Sequence, residues 1–399
     1  MLKIAVSVIL CLGIFIASIN ADCKLDLKRN LPSEKIPIYL IKQNNDDFSL
    51  FVPDGRETTF YTNERLYAYC PDMRANHGIR EIICDAQGNF PIKSVQCNEE
   101  IQPELLQLPK TCYENFGNVW KLGFYIPSNA ISYSKTFSTM VSVCYHLDLF
   151  ETLYTYHTIN GKAIQYSMNR VNQRFSGAGI PTTNLTPRVS NLDTIYTQRY
   201  QKDFFKTLYG QNQNYVTDKI YLTRGHMAPA GDFIFHPQKR STFYLANAAP
   251  QFNTVNAGNW EIVEDLTRIL AAKQNRQIGV LTGVLEVLKL KNLNTNLDVV
   301  ASLSDKNRFH VPKYYFRILL DDTTKSSIVF VTQNNPYSTT PTTVCTNVCN
   351  EAGFRYSQFT DYNKGYTICC KFDEFVKSIY FVEPKKFKTQ SFPNLITNV

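Results

Sequence analysis

The 399-residue sequence has no cysteine between Tyr145 and Val344. Disulfides therefore cannot staple this central stretch, which needs an ordinary hydrophobic core and is long enough to build one. The absence of internal repeats and low-complexity segments excludes a repeat architecture. Beyond the N-terminus no apolar run approaches the about 20 residues of a membrane-spanning helix. Only six histidines are present, so few positions could supply an imidazole.

The first residues, "MLKIAVSVILCLGIFIASINADC", are typical of a secretory signal peptide. Lys3 supplies the positive start, an apolar run follows over 4–19, and Ala21 is a small residue suited to cleavage. We expect residues 1–21 to be removed, with the mature chain starting near Asp22 and secreted. The alternative, an uncleaved anchor, is disfavoured by the short apolar run.

Cysteine usage agrees with export. Of eleven cysteines, Cys11 leaves with the signal peptide, and an even number in an exported chain favours disulfides. We predict five: pairing mainly within the first four cysteines, a local Cys112–Cys144 bridge, and different partners for Cys369 and Cys370. The alternative for the last four is a structural zinc site, although their spacing is loose. The ten remaining cysteines are Cys23, Cys70, Cys84, Cys97, Cys112, Cys144, Cys345, Cys349, Cys369 and Cys370.

The chain divides by composition. Residues 22–105 hold four cysteines and the short strand-like runs "ERLYAYC", "REIICDAQGNF" and "IKSVQC", which predict a small disulfide-stapled β module. "NEEIQPELLQLPK" is interpreted as a linker to a second domain over 106–399. An Asn-Leu-Thr sequon at Asn184 predicts glycosylation, which also suits an extracellular protein.

The second domain is predicted to be α+β. One helix is expected from Asn256 to Lys273, because apolar residues recur there at helical spacing: Trp260, Val263, Leu266, Thr267 and Leu270. Strands are predicted from β-branched and aromatic runs: "TLYTYHTI", "KIYLT", "STFYLANAA", "QIGVLTGVLEV", "KYYFRILL" and "SSIVFVTQ".

"YLTRGHMAPAGDF" places a histidine directly after the predicted strand "KIYLT". Gly225, Pro229 and Gly231 are expected to end that strand, so Arg224 and His226 would be presented at its end, where functional side chains are common. The alternative for a lone histidine is a buried structural role.

On the predicted helix, Asn256, Trp260, Glu264 and Arg268 are four residues apart and share a slowly drifting face. Asn256 and Glu264 differ by a rise of about 12 Å, so Glu264 could hold a metal-bound water more easily than the ion that Asn256 ligates. The alternatives are an N-cap role for Asn256 and a surface ion pair between Glu264 and Arg268.

Together these residues resemble the signature of the DNA/RNA non-specific endonucleases, also called ββα-metal or His-Me finger nucleases. The resemblance covers roughly residues 105–385, and secreted arthropod nucleases of gut and saliva look most similar. It implies a ββα-metal core with mixed or antiparallel sheets, preceded by the β-rich module. The matching positions are Arg224, Gly225 and His226; Asn247, Pro250 and Gln251; and Asn256, Gly258, Trp260 and Glu264.

The resemblance also implies roles. His226 would be the general base, Asn256 the direct metal ligand, and Glu264 the holder of metal-bound water. Arg224 and Arg268 would take part in catalysis by contacting phosphate, with Asn247 orienting the catalytic site and Gln251 assisting substrate binding. Oxygen ligands suit Mg²⁺, and Mn²⁺ is expected to substitute.

One position departs from the family pattern. Thr223 stands where an aspartate is usual, which removes a negative charge near the base and metal. The main prediction is a secreted endonuclease that cleaves double-stranded DNA and RNA without sequence preference and associates with no membrane. The alternative is a catalytically weakened nucleic-acid-binding protein of the same fold.

Other basic residues are compatible with both an endonuclease and a catalytically weakened nucleic-acid-binding protein. A net charge of +8 suits an anionic partner but is weak by itself. Arg170 and Arg174 are candidate phosphate contacts. The segment "RYQKDFFKTLYGQNQNY" could bind a nucleic-acid backbone through its basic residues, although a solvated amphipathic helix is the favoured interpretation; those residues are Arg199, Lys202 and Lys206.

Overall fold

The computed structural model describes residues 21–73, 75–112, 115–129, 134–181, 192–305, 308–378 and 391–398. The apolar part of the predicted signal peptide and the sequon at Asn184 lie outside these ranges. In the described ranges no helix combines the length and apolar character needed to span a bilayer.

The N-terminal segment forms two small antiparallel sheets. One pairs β1 with β4, and the other has the order β3-β2-β5-β6. The predicted strand "IKSVQC" is wrong, because residues 92–94 form a short 3-10 turn. The strands are β1 (Cys23–Asp26), β2 (Ile38–Lys42), β3 (Phe48–Leu50), β4 (Glu57–Phe60), β5 (Arg65–Tyr69) and β6 (Ile79–Ile83).

The rest of the described chain is built on one nine-stranded sheet and three two-stranded ones. The further strands are β7 (Glu104–Cys112), β8 (Gly117–Pro127), β9 (Lys135–His146), β10 (Glu151–Asn160), β11 (Leu222–His226), β12 (Ala248–Phe252), β13 (Gln277–Val287), β14 (Lys289–Lys291), β15 (Asp298–Val300), β16 (Ser302–Ser304), β17 (Arg308–His310), β18 (Pro312–Asp321), β19 (Ser326–Gln333), β20 (Thr367–Cys370) and β21 (Asn394–Leu395). The large sheet has the antiparallel order β20-β19-β18-β13-β10-β9-β8-β7, and β21 adds to β19 in parallel.

The helices are few and short. They are α1 (Gln198–Tyr209), α2 (His236–Arg240), α3 (Asn253–Val255), α4 (Glu261–Gln274) and α5 (Phe372–Ser378). A five-residue π-type turn over Asn256–Trp260 joins α3 to α4, with a kink at Gly258. This mixture confirms the predicted α+β class.

Helix α4 packs on one face of the large sheet. Its predicted apolar stripe is buried as expected and contacts residues of β13, β18 and β19. Phe372 and Phe375 of α5 cover the opposite face. Because both faces are covered, β18 and β19 are buried along almost their whole length and appear in sequence as continuous apolar runs.

The N-terminal segment shares its core with the remainder of the chain. Ile234 and Phe235, the two residues before α2, belong to the same buried cluster as Tyr39 and Phe51. The segment interpreted as a linker ends in β7, an edge strand of the large sheet. The division at residue 105 stays a prediction, but the two parts are packed together across it.

The predicted disulfides are confirmed. The first four cysteines pair among themselves, Cys112 bonds Cys144, and the adjacent Cys369 and Cys370 take different partners. This arrangement overturns the zinc alternative, since all four of its thiols are used in disulfides. The bonds are Cys23–Cys84, Cys70–Cys97, Cys112–Cys144, Cys345–Cys370 and Cys349–Cys369.

The shared core predicts that Phe235 stabilises both parts of the chain. Its ring is 4% exposed and lies 5.5 Å from the ring of Tyr39. Phe235→Ala should lower the free energy of unfolding in urea by about 3–5 kcal/mol, because it leaves a cavity in a well-packed core. Val52→Ala, at a position that is 61% exposed, is the control and should change it by less than about 0.5 kcal/mol. Equal effects would contradict a shared core.

Candidate active site

Strands β11 and β12 form an antiparallel hairpin in which His226 faces Ala248 and Arg224 faces Pro250. Both predicted strands are shifted. β11 begins at Leu222 and continues through Arg-Gly-His, and residues 241–247 lie outside β12. The strand predicted from the sequence, "KIYLT", begins and ends earlier than β11, because Gly225 was expected to end it. His226 is nevertheless the last residue of β11, as the hypothesis required.

Gly225 is needed for close packing. A Cβ there would lie 2.4 Å from Oε1 of Gln251 and 3.0 Å from the hydroxyl of Tyr315, closer than real side chains pack. Gln251, in β12, is fully buried, and its side-chain amide has no hydrogen-bond partner among the described residues. Gln251 does not line the cleft described below.

Thr223, the departure from the family pattern, braces the hairpin. Its hydroxyl donates to the main-chain oxygen of Gln251 at 3.0 Å. An ionised aspartate has no proton to donate, so it could not make this bond. The substitution therefore exchanges a charge for a hydrogen bond between β11 and β12.

Asn247 fixes the turn that follows His226. Its side-chain oxygen accepts from the amide of Ala228 at 2.9 Å, and its side-chain nitrogen donates to the carbonyls of Ala228 and Thr242 at 2.9 and 2.8 Å. The amide of Met227 donates to the carbonyl of Asn247 at 3.0 Å. These bonds hold the chain on both sides of the turn, as an orienting residue would.

Asn256 occupies the first position of the π-type turn. It has helical φ and ψ and follows α3 directly, so the N-cap alternative is wrong. Gly258 then leaves helical geometry at φ −110° and ψ −121°. Asn259 anchors the turn by donating to the carbonyls of Gln358 and Gly365 at 2.8 and 2.6 Å. Such helix irregularities are frequent at functional sites.

The structure brings four of the predicted residues into one cleft of about 730 Å³: His226, Asn256, Glu264 and Arg268. Arg224 lies outside the cleft walls. Its guanidinium pairs with Asp193 at 2.5 Å and stacks over Tyr196 at 4.8 Å. The other lining residues come from 164–170, 229–231, α2, Phe243 and the segment 257–269. They are Ile164, Gln165, Ser167, Met168, Arg170, Pro229, Ala230, Gly231, Lys239, Phe243, Ala257, Glu261, Asp265 and Ile269.

The imidazole of His226 is held between two aromatic rings. Phe175 lies 4.6 Å away and Phe243 4.9 Å away, measured between ring centroids. Nε2 is buried and has no hydrogen-bond partner in the described chain. Burial, reinforced by the positive charge of Arg170, lowers the pKa of His226 to about 4. The ring is therefore neutral at physiological pH and able to accept a proton.

Glu264 has the opposite shift. Burial raises the pKa of its carboxyl to about 7, and no described residue donates a hydrogen bond to it. A carboxylate that is desolvated without a donor fits a site for a cation or its bound water, which would favour the charged form. With the amide of Asn256 on the same cleft, the oxygen donors suit a hard divalent ion.

A buried ionic network lies beneath the cleft. Asp232 accepts from His157 Nε2 at 2.8 Å, from Arg268 at 3.2 Å, and from Arg317. Although burial opposes it, the Arg317 guanidinium, with His157 and Arg268, holds the pKa of Asp232 well below its usual range. Arg317 also donates to the hydroxyls of Thr267 and Thr282, at 2.9 and 2.8 Å.

This network corrects one expectation and adds residues that sequence reasoning missed. Arg268 pairs with Asp232 and Asp265, and no ion pair joins it to Glu264. Gly231 makes room for that arrangement, since a Cβ there would lie 2.7 Å from an Arg268 nitrogen. Arg317 was detectable in "KYYFRILL" as a charge inside a strand that is otherwise apolar after its first residue.

The remaining basic candidates separate clearly. Arg170 lines the cleft, whereas the exposed Arg174 does not. Helix α1 is amphipathic, with Phe204 and Phe205 buried, and its Lys202 pairs with Asp218. The structure therefore agrees with the favoured interpretation of α1 as a solvated helix.

The chain is similar in sequence to known endonucleases and salivary proteins. The family model for DNA/RNA non-specific endonucleases matches residues 123–375. The salivary endonuclease of Lutzomyia longipalpis is 30% identical over 381 residues, covering 94% of this chain and 88% of that protein. Salivary protein Tsal1 of Glossina morsitans morsitans is 29% identical, covering 89% and 90%. A salivary endonuclease of Culex quinquefasciatus is 21% identical, covering 88% and 87%.

Two antiparallel strands, the first of which ends in a histidine, are followed by a helical segment that bears the metal-ligand candidates. This is the ββα arrangement expected from sequence. With the family match covering more than half of the chain, the chain belongs to the DNA/RNA non-specific endonuclease family, and it is an endonuclease.

The network predicts a large cost for removing Asp232. Asp232→Ala leaves the buried guanidinium of Arg317 without its carboxylate, which should lower the free energy of unfolding by about 3–5 kcal/mol. Urea unfolding of the oxidised protein measures this. Asp218→Ala removes an exposed carboxylate that pairs with Lys202 and should cost no more than about 1 kcal/mol. A similar small loss in both variants would show that Arg317 does not depend on Asp232.

Proposed function

We propose that this chain is a secreted, divalent-metal-dependent endonuclease that hydrolyses phosphodiester bonds of DNA, and also of RNA, including double-stranded substrates. The observation that carries the proposal is the convergence of His226, Asn256, Glu264 and Arg268 on one cleft. A base, oxygen ligands and a cation for phosphate are the groups that this hydrolysis requires.

In this proposal His226 is the general base. Its neutral ring, which lies between Phe175 and Phe243, takes a proton from the attacking water as the water oxygen bonds to phosphorus and the bond from phosphorus to the leaving oxygen breaks. The aromatic rings fix the imidazole plane and exclude solvent. The unpaired Nε2 leaves a ring nitrogen that no other described group competes for.

Asn256 would ligate the metal directly, and Glu264 would hold it through water. A bound Mg²⁺ would neutralise charge on the phosphate and on the leaving oxygen. Asn256 is a neutral ligand, so it leaves the ion's positive charge available to the substrate. Mn²⁺ has similar ligand preferences and is expected to substitute.

Arg268 and Arg224 would bind phosphate. Arg268 lies on the cleft, held by Asp232 from below. Arg224 pairs with the exposed Asp193, a partner that a phosphate could replace at little cost, because exposed ion pairs are weak. Contacts of this kind read the backbone and carry no base sequence, which supports cleavage without sequence preference.

Secretion is supported by three observations. The N-terminal sequence has the pattern of a signal peptide. All ten cysteines beyond it are in disulfides, which persist in oxidising compartments. Relatives that align over most of the chain are named salivary endonucleases.

The roles of His226 and Asn256 are separated by two variants in a Mg²⁺ titration of plasmid cleavage. His226→Ala should reduce the rate by about 10² to 10⁴-fold, the usual share of general-base catalysis, with an unchanged Mg²⁺ requirement. Asn256→Ala should raise the Mg²⁺ concentration needed for half-maximal activity, and excess Mg²⁺ should partly restore the rate. Wild-type assays on plasmid, double-stranded RNA and single strands, each with and without EDTA, define the substrate range.

Two outcomes would reject these assignments. Rescue of His226→Ala by Mg²⁺, without rescue of Asn256→Ala, would reverse the two roles. A fully active His226→Ala variant would exclude it as the base. Loss of cleavage by the wild-type chain on all substrates would instead favour the alternative of a nucleic-acid-binding protein.

The lowered pKa of His226 predicts that the acid limb of the pH–rate profile lies at an unusually low pH. Below its pKa the ring is protonated and cannot accept a proton, so kcat/KM must fall as the pH drops through that value. We therefore expect kcat/KM, measured at saturating Mg²⁺ from about pH 8 down to about pH 5, to stay high below pH 6.5, which is the ordinary pKa of histidine. Phe175→Ala, which admits water to the ring, should shift the limb upward. A wild-type limb at or above the ordinary value would contradict the desolvated ring.

A further inference from the structure

One positively charged side chain of the cleft has no role among those proposed above. Lys239, on α2, is 3% exposed, yet its side chain lines the same cleft as His226 and Arg268. Sequence reasoning did not single it out, because a lysine in "HPQKRS" looks like an ordinary surface residue.

The ammonium group of Lys239 is poorly satisfied. Its two hydrogen bonds within the described chain go to Oγ of Ser167 at 3.5 Å and to the carbonyl of Ala230 at 3.4 Å. Both are at the long limit of such bonds. No described carboxylate forms an ion pair with it, and Asp232 is already engaged by Arg268 and Arg317.

A buried ammonium without a carboxylate is costly, because desolvation is not repaid by pairing. Burial, with the nearby Arg268, lowers the pKa of Lys239 to about 8, which still leaves most of the amine protonated at neutral pH. The cleft therefore holds a positive charge that has an unmet need for an anion and faces the space where substrate would lie.

The wall beside Lys239 is fixed in place. The carbonyl of Ser167 accepts from Lys28 of the N-terminal segment at 2.7 Å, and the amide of Met168 donates to the carbonyl of Ile234 at 2.9 Å. Ser167 and Ala230 thus hold the lysine head from two sides without neutralising it. This arrangement favours a positioned, preorganised cation over a mobile surface charge.

We propose that Lys239 is a substrate-binding residue, whose ammonium donates to a non-bridging oxygen of a nucleic-acid phosphate in the cleft, next to the phosphate held by Arg268. This inference rests on the proposed function and adds a contact to it. The phosphate would supply the anionic partner that the folded chain withholds from Lys239.

The test measures binding of a fluorescent DNA duplex by anisotropy across a range of NaCl concentrations, in a His226→Ala background without added divalent ion. Lys239→Met keeps the length of the side chain and removes its charge. We expect the Kd to rise about tenfold, as for loss of one charge-assisted contact. The slope of log K against log salt should become shallower by about 0.9, the share of one phosphate contact.

Matched variants separate this role from a structural one. Lys291→Met removes an exposed lysine that pairs with Asp298 outside the cleft and should leave the Kd and the slope near the parent values. Lys239→Met should not lower the melting temperature, because replacing a buried unpaired charge by an apolar group costs little. Lys239→Gln provides the same readout if the methionine variant does not fold.

Two results would overturn the inference. A Kd and salt slope equal to the parent values for a folded Lys239 variant would show that the lysine is structural, while leaving the proposed function intact. A parent chain that fails to bind duplex DNA would reject the proposed function together with this contact.

Discussion

The buried pairing of Asp232 with Arg317 is the interaction on which the site depends. Arg317 comes from β18 inside the large sheet, and Asp232 from the turn that follows β11, in the connection to β12. His157 and Arg268 bind the same carboxylate, so β10 and α4 join the assembly. One carboxylate thus fixes the hairpin, the helix and the sheet relative to each other, and the buried guanidinium of Arg317 would be an uncompensated charge without it.

Burial shifts the pKa values of His226 and Glu264 in opposite directions, because it favours the neutral form of each group. It favours the neutral imidazole of His226 and so keeps the ring ready to accept a proton. It also favours the neutral carboxyl of Glu264, whose charged form needs a cation nearby. The same desolvation therefore keeps the imidazole neutral and favours a protonated Glu264 unless a cation lies near its carboxyl group.

Local periodicity predicted much of the fold. The strands 277–287 and 326–333, the apolar stripe of α4 and the cysteine pairing are confirmed, because each depends on spacing along the chain. The bounds of β11 and β12 and the partners of Arg268 were wrong, since long-range packing decides them: Gly225 stays extended because Gln251 and Tyr315 pack against it. The contact of Phe235 with the N-terminal segment has no local signal at all.

The position of the ββα segment in the sequence affects the order in which the site forms during folding. His226, Asn256, Glu264 and Arg268 all lie within residues 222–274, a stretch short enough to form by local contacts early in folding. The groups that desolvate and brace them come from far away in sequence, including Phe175, at some fifty residues before, and Arg317, at some fifty after. A partly folded chain therefore carries these four side chains but lacks the desolvated surroundings that shift the pKa values of His226 and Glu264.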